Sequence, residues 1–266
     1  MTQVNLISLS KPSAYTECST ANELIAWTAR VSNPSNQNNT KTAAKLVKYL
    51  IKHEHWSPLE MVSMAVEIRT TRDIARQILR HRSFSFQEFS QRYADPTADL
   101  NFVFREARLQ DEKNRQNSVE VEDPQLQEQW NMKQQQVINA AKDAYGWARD
   151  HGIAKEQARA VLPEGNMESV VIMNGTIRSW VHYCILRMAN GTQKEHAIIA
   201  AMCWDIIKTH FPSVVEAVDE IMADKNLKDE LFKSCYDLLF DEDMDHDDKQ
   251  GYLMDEVSHI IGKVKH

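Results

Sequence analysis

The spacing of apolar positions along this chain changes several times, and each change marks an element. Residues 3–9, QVNLISL, alternate weakly at period two and predict a short strand. In ANELIAWTARV, residues 21–31, Leu24, Ile25 and Trp27 fall on one helical face, and SNPSNQNNT at 32–40 predicts a loop. AAKLVKYLIKH at 43–53 predicts a second helix. In VSMAVEIR, Val62, Met64, Val66 and Ile68 recur at period two, the mark of a half-buried strand. Thr70 and Thr71, good N-cap residues, open a helix reaching about Leu79.

Residues 95–123 are polar and weakly patterned, with FVFRE as their only strand-like piece. Residues 123–152 then predict a long helix, with Asp123 as cap, Pro124 at the first position and Gly152 past the end. AKEQARAVL predicts a shorter helix stopped by Pro163. ESVVIM at 168–173 predicts a buried strand closed by an Asn174-Gly175 turn. Helices follow over TIRSWVHYCILRMAN, ending near Gly191, and over QKEHAIIAAMCWDIIKTHF. After Pro212 the chain turns acidic, a pattern that predicts a solvated helical tail.

Composition narrows the function classes. With 42% hydrophobic and 26% charged residues, and only seven Gly and seven Pro, the chain is expected to fold as a globule. Its formal net charge of −7 argues against general nucleic-acid coating, which needs a surplus of Lys and Arg. No apolar run approaches the roughly 20 residues that span a bilayer. The N-terminus has no signal-peptide pattern, so a cytoplasmic location is expected. Cys18, Cys184, Cys203 and Cys235 lie far apart, which predicts reduced thiols rather than a zinc site or disulfide framework.

No glycine-rich phosphate loop is present, so any nucleotide must be held by side chains and helix ends. His53 and His55 have no further ligands at fitting spacing, and no metal is expected. Asp243, Asp245 and Asp247 imitate a calcium loop, but Asp248 and Met254 occupy the positions that require Gly and Glu.

The candidate chemistry lies in arginines. Arg72, Arg76 and Arg80 recur every four residues and share a helical face. They lead into RHRSFSFQEFSQRY at 80–93, where arginines alternate with serines and phenylalanines and no lysine intervenes. Arg is the residue suited to forked recognition of phosphate or carboxylate. Arg and Phe together also suit an RNA or single-stranded nucleic-acid surface, the alternative reading that the net charge opposes.

Arg80-His81-Arg82, seven further residues and then Ser90-Gln91-Arg92 resemble the signature of the flavin-dependent thymidylate synthases. HEHWSPLE upstream is similar to that family's His-x-Ser/Thr-Pro-x-Glu element, with His55, Ser57, Pro58 and Glu60 in place. ARAVLP, NGTIRSWVHYCILR and NGTQKEH follow in the family's order, so the resemblance spans residues 15 to 212.

The resemblance implies an α+β fold, a small β-sheet flanked by helices, in a catalytic domain of residues 1–215 with an acidic helical extension over 216–266. It implies reductive methylation of dUMP to dTMP, with methylenetetrahydrofolate as carbon donor and NADPH as reductant through FAD. It implies that no cysteine nucleophile takes part. It implies a homotetramer with shared active sites, binding small molecules and neither nucleic acid nor membrane. By the same resemblance Gln77, Arg80, Glu88, Ser90, Arg92, Arg159 and Arg187 would contact dUMP, and Arg187 would be catalytic. Ser57, Arg80, His81, Arg82, Glu88, Thr176, Arg178 and His182 would contact FAD. Met61 stands where the family often has a second histidine, and some members carry Asn in the place of His182.

Overall fold

The structure, a computed structural model, describes residues 2–239. A four-stranded antiparallel sheet forms its centre, built from β1 (Gln3–Leu9), β2 (Ser63–Thr71), β3 (Phe84–Glu88) and β6 (Glu168–Thr176) in the order β1-β2-β6-β3. As the spacing predicts, Val62, Met64, Val66 and Ile68 are fully buried at period two on one side of β2. That side is covered by helices. α1 (Ala21–Ala29), α2 (Ala43–Lys52), α3 (Arg72–Ile78), α7 (Ile177–Met188) and α8 (Lys194–His210) meet it in a single hydrophobic cluster that contains Ile25, Ile51, Trp180 and Ile207. The opposite face is open, with Ser85, Gln87, Ile172 and Asn174 exposed along β3 and β6.

Three local expectations are corrected. The segment Phe84–Glu88, to which the sequence reading assigned no strand, is β3, paired antiparallel with β6 in the register Phe84↔Gly175, Phe86↔Met173 and Glu88↔Val171. The expected Asn174-Gly175 turn does not form, because β6 runs through both residues to Thr176 with β2 on its other edge. The glycine serves close packing instead. A Cβ on Gly175 would stand 2.4 Å from Cδ1 of the Phe84 ring, so only glycine admits that ring over the strand. FVFRE forms no strand beyond a bridge from Phe102 to Met167. The pairing in that region falls to a small hairpin of β4 (Arg108–Gln110) and β5 (Ser118–Glu120), which follows the short helix α4 (Pro96–Asp99).

α5 (Pro124–Asp150) begins at the predicted cap, where the Asp123 carboxylate accepts from the backbone N–H groups of Gln125 and Leu126. Its buried residues Gln134, Ile138, Ala141, Tyr145 and Ala148 follow a four-three spacing, the stripe of a helix packed along one side. The expected helix at 154–162 is α6 (Lys155–Ala158) continued by a tighter turn at Arg159–Val161. α9 (Pro212–Leu239) starts inside the main core, where Val214, Val215, Ala217 and Val218 are buried. The aspartates of the calcium-like segment lie outside the described residues.

Candidate active site

α3 starts where β2 ends and is pinned at its first turn. The Arg72 N–H donates to the Met167 carbonyl, and the Asp73 carboxylate accepts two contacts from Arg105 Nη2 at 2.6 and 2.8 Å. Arg105 also meets Glu195 at 3.3 Å, which joins α3 to α8. The helix therefore holds its outward arginines at fixed positions. Arg72 and Arg76 converge on Glu88 at the end of β3: Arg76 hydrogen-bonds its carboxylate and Arg72 stands 3.6 Å from it. The Ser169 hydroxyl donates to the same carboxylate at 2.9 Å. Period two along β3 is what turns Glu88 to this side, in line with Phe84 and Phe86.

These groups wall a cavity of about 510 Å³, lined also by Ser90, Gln91 and Arg159. Arg72 additionally faces Glu164 at 3.5 Å. Polar groups dominate the lining, and guanidinium groups arrive from two separate elements. Such an arrangement can hold a phosphate or carboxylate by forked hydrogen bonds.

A second cluster forms where α7, α8 and the end of α3 meet. Arg187 Nε donates to His81 Nε2 at 2.9 Å, so that nitrogen carries no proton. Burial, then the charges of Arg187 and Arg80, hold the His81 imidazole down to about 4. The Tyr183 ring meets His81 edge-on at 4.9 Å. His196 spans Tyr183 and Gln77, and Gln77 in turn donates to Gln193 at 2.7 Å.

A third group gathers at the turn Ser57–Met61. Arg178 hydrogen-bonds Glu60, and the His182 ring lies 4.6 Å from that of Trp56. Burial and the Arg178 charge lower the His182 imidazole from its usual range. Thr176 caps α7, its hydroxyl accepting from the Ser179 N–H at 3.3 Å. Arg178 and His182 thus share one side of α7 and Arg187 takes the other, as their separations of four and nine residues require.

The expected residues accordingly divide. Glu88, Ser90 and Arg159 share the cavity, Gln77, His81 and Arg187 share the second cluster, and Ser57, Thr176, Arg178 and His182 surround the third. Arg80 and Arg82 are exposed beyond α3, and Arg92 is exposed and paired with Glu156 at 3.1 Å. The shared arginine face splits: Arg72 and Arg76 line the cavity, whereas α3 ends at Ile78 before Arg80 is reached. Phe84 and Phe86 pack against the core, which takes both rings from the base-stacking surface that the RNA reading needs.

Arg72 and Arg76 were not among the residues expected at the site, although their spacing marks the stripe. Tyr183 and His196 were also missed, because a buried aromatic and a buried histidine leave no polar pattern in the sequence.

Comparison with known proteins gives a consistent result. The family model described as "Thymidylate synthase complementing protein" matches residues 14–213. A probable flavin-dependent thymidylate synthase of Paramecium bursaria Chlorella virus 1 is 48% identical over 80% of this chain and 97% of its own length. A flavin-dependent thymidylate synthase of Synechocystis is 45% identical over 81% of this chain and 99% of its own. In fold, the chain is similar to a UMP/dUMP methylase, PolB, from Streptomyces cacaoi, whose crystal structure holds 5-Br dUMP. The TM-score is 0.66 at 24% identity, over 83% of this chain and 95% of the other. With its signature segments on the strands and helices that form these clusters, the chain belongs to the flavin-dependent thymidylate synthase family.

Proposed function

We propose that this protein is a flavin-dependent thymidylate synthase that converts dUMP to dTMP, taking its carbon from methylenetetrahydrofolate and its electrons from NADPH through FAD. The observation that carries the proposal is the polar cavity in which Arg72, Arg76 and Arg159 meet Glu88 and Ser90, on the segments that define the family. Glu88, Ser90 and Arg159 would hold the nucleotide there, with Gln77, Arg80, Arg92 and Arg187 completing its contacts. A bound phosphate competes with Glu88 for the guanidinium groups that now face it.

The residues assigned to the flavin suit a dinucleotide that carries two phosphates. Arg80, Arg82 and Arg178 are exposed cations, and Ser57 and His182 are exposed beside Trp56. Held by these residues, FAD would supply the hydride chemistry that links NADPH to the methylated nucleotide. Glu88 and His81 would also touch it, and Thr176 would contribute at the start of α7. Arg187 acts as a fixed cation beside the uracil ring, where it stabilises negative charge as C5 becomes nucleophilic. Its hydrogen bond to the unprotonated His81 Nε2 aims the guanidinium while leaving its charge uncompensated.

Cysteine chemistry has no part in this scheme. Burial pushes the thiols of Cys184 and Cys203 upward and keeps them protonated inside the core. The protein is proposed to be a cytoplasmic homotetramer with FAD at subunit interfaces, which gives the exposed flavin residues a covering surface. Residues 216–266 would form an extension to the catalytic unit of 1–215.

Reconstitution tests the reading. The purified protein should bind FAD, seen as oxidised-flavin absorbance, and added dUMP should perturb that spectrum. A protein that takes up no FAD contradicts the proposal.

A further inference from the structure

His196 is fully buried, yet both of its ring nitrogens are engaged. Nδ1 lies 3.3 Å from Gln77 Oε1, and Nε2 lies 3.1 Å from the Tyr183 hydroxyl. A carboxamide oxygen only accepts, so with the Gln77 amide in this orientation the proton lies on Nδ1. In the neutral ring Nε2 is then bare and accepts from Tyr183. Both requirements are compatible with burial: the His196 imidazole is held down to about 4 by desolvation, then by Arg187 and His81, and burial raises the Tyr183 hydroxyl, which keeps it a donor.

The consequence falls on Gln77. A glutamine amide has two orientations of nearly equal shape that exchange a donor for an acceptor. Here Oε1 is taken by His196, and Nε2 donates to Gln193 Oε1 at 2.7 Å. An NH₂ group has two hydrogens, so one remains for a further acceptor. We propose that His196 is a positioning residue for nucleotide binding: as the Nδ1–H tautomer, its Nε2 accepting from Tyr183, it holds the Gln77 amide with a donor turned to the nucleotide. This rests on the reading of Gln77 as a dUMP contact. The site so oriented recognises an oxygen acceptor on the nucleotide and disfavours a donor in the same place.

Two isosteric replacements separate the ring's two contacts. His196→Asn puts an amide nitrogen near the Nδ1 position and retains the donor to Gln77, whereas His196→Gln reaches the Nε2 position and loses it. Titration with dUMP, read from the flavin spectrum, should show His196→Gln binding about 3- to 10-fold more weakly, the worth of one neutral hydrogen bond. His196→Asn should stay within about 2-fold of the parent, and FAD content should be equal in all three. The loss should vanish in a Gln77→Ala background, where nothing remains to be oriented. Unchanged dUMP binding in His196→Gln, or an equal loss when Gln77 is absent, overturns the inference.

Should the replacements fail to fold, nitrogen-15 shifts of histidine in the unaltered protein decide the matter. A protonated Nδ1 at His196 is expected, and a protonated Nε2 overturns the assignment. Failure of the unaltered protein to bind dUMP would instead defeat the proposed function, so the two failures are distinct.

Discussion

In the proposed reaction Arg187 would carry the catalytic charge, and its replacement tests that role. Arg187→Ala should abolish dTMP formation and leave FAD bound, because Arg187 stands on the opposite side of α7 from Arg178 and His182. Flavin absorbance and product assay on the same preparation check both halves. Retained turnover would remove Arg187 from the reaction. Arg72→Ala tests a residue that the arginine stripe marks and the fold brings to the cavity. It should weaken dUMP binding about 10-fold, the cost of one charge-assisted contact, with FAD binding unaltered. An unchanged dUMP titration would return Arg72 to a purely structural pairing with Glu88 and Glu164.

At the scale of elements, the junction of β3 and β6 decides whether the signature segment is held in place. Gly175→Ala forces a methyl group into the Phe84 ring, which is already flanked by Trp180 at 4.8 Å and by Tyr183 at 5.8 Å. Overpacking of this kind costs about 1–3 kcal/mol, so thermal unfolding should move several degrees downward. An unshifted melting temperature would mean that the ring relaxes freely. The same junction shows what the sequence could and could not reveal. The strands β1 and β2, the caps of α5 and the opposed faces of α7 were legible, because each follows from a period or a capping residue along one element. β3 is visible too in the alternation of SFSFQE, but the arginines and serines around it also suit a ligand-binding loop. Gly175 followed Asn174 and therefore signalled a turn. Only the partner strand reveals that the glycine answers a ring 91 positions away in sequence. The convergence of Arg72 and Arg76 on Glu88, and the contacts of His196 with Gln77 and Tyr183, are likewise tertiary facts with no local pattern.

For the whole molecule, the histidines predict a pH dependence. His81 and His196 titrate near 4 in the folded chain and near 6.5 when unfolded. Above about pH 6.5 both are neutral in either state and contribute nothing. As pH falls below that value the unfolded state takes up protons that the folded state refuses, so stability declines until about pH 4. The slope attributable to each histidine approaches 1.4 kcal/mol per pH unit within that window, at about the value for one proton. Denaturant unfolding at pH 7 and pH 5 measures it, and equal stability at both would show that these rings charge freely in the fold. No helix among the described residues is long and apolar enough to cross a membrane. Assembly is a separate matter: a tetramer with flavin between subunits predicts a mass near four times 30.7 kDa in solution, and a monomeric protein that binds FAD fully would contradict shared sites.

The central claim is the reaction itself, and product formation tests it most directly. Purified protein supplied with FAD, dUMP, methylenetetrahydrofolate and NADPH should form dTMP, and omission of any one of the three co-reactants or of the flavin should stop it. Absence of dTMP from the complete mixture, in protein that has bound FAD, would contradict the account.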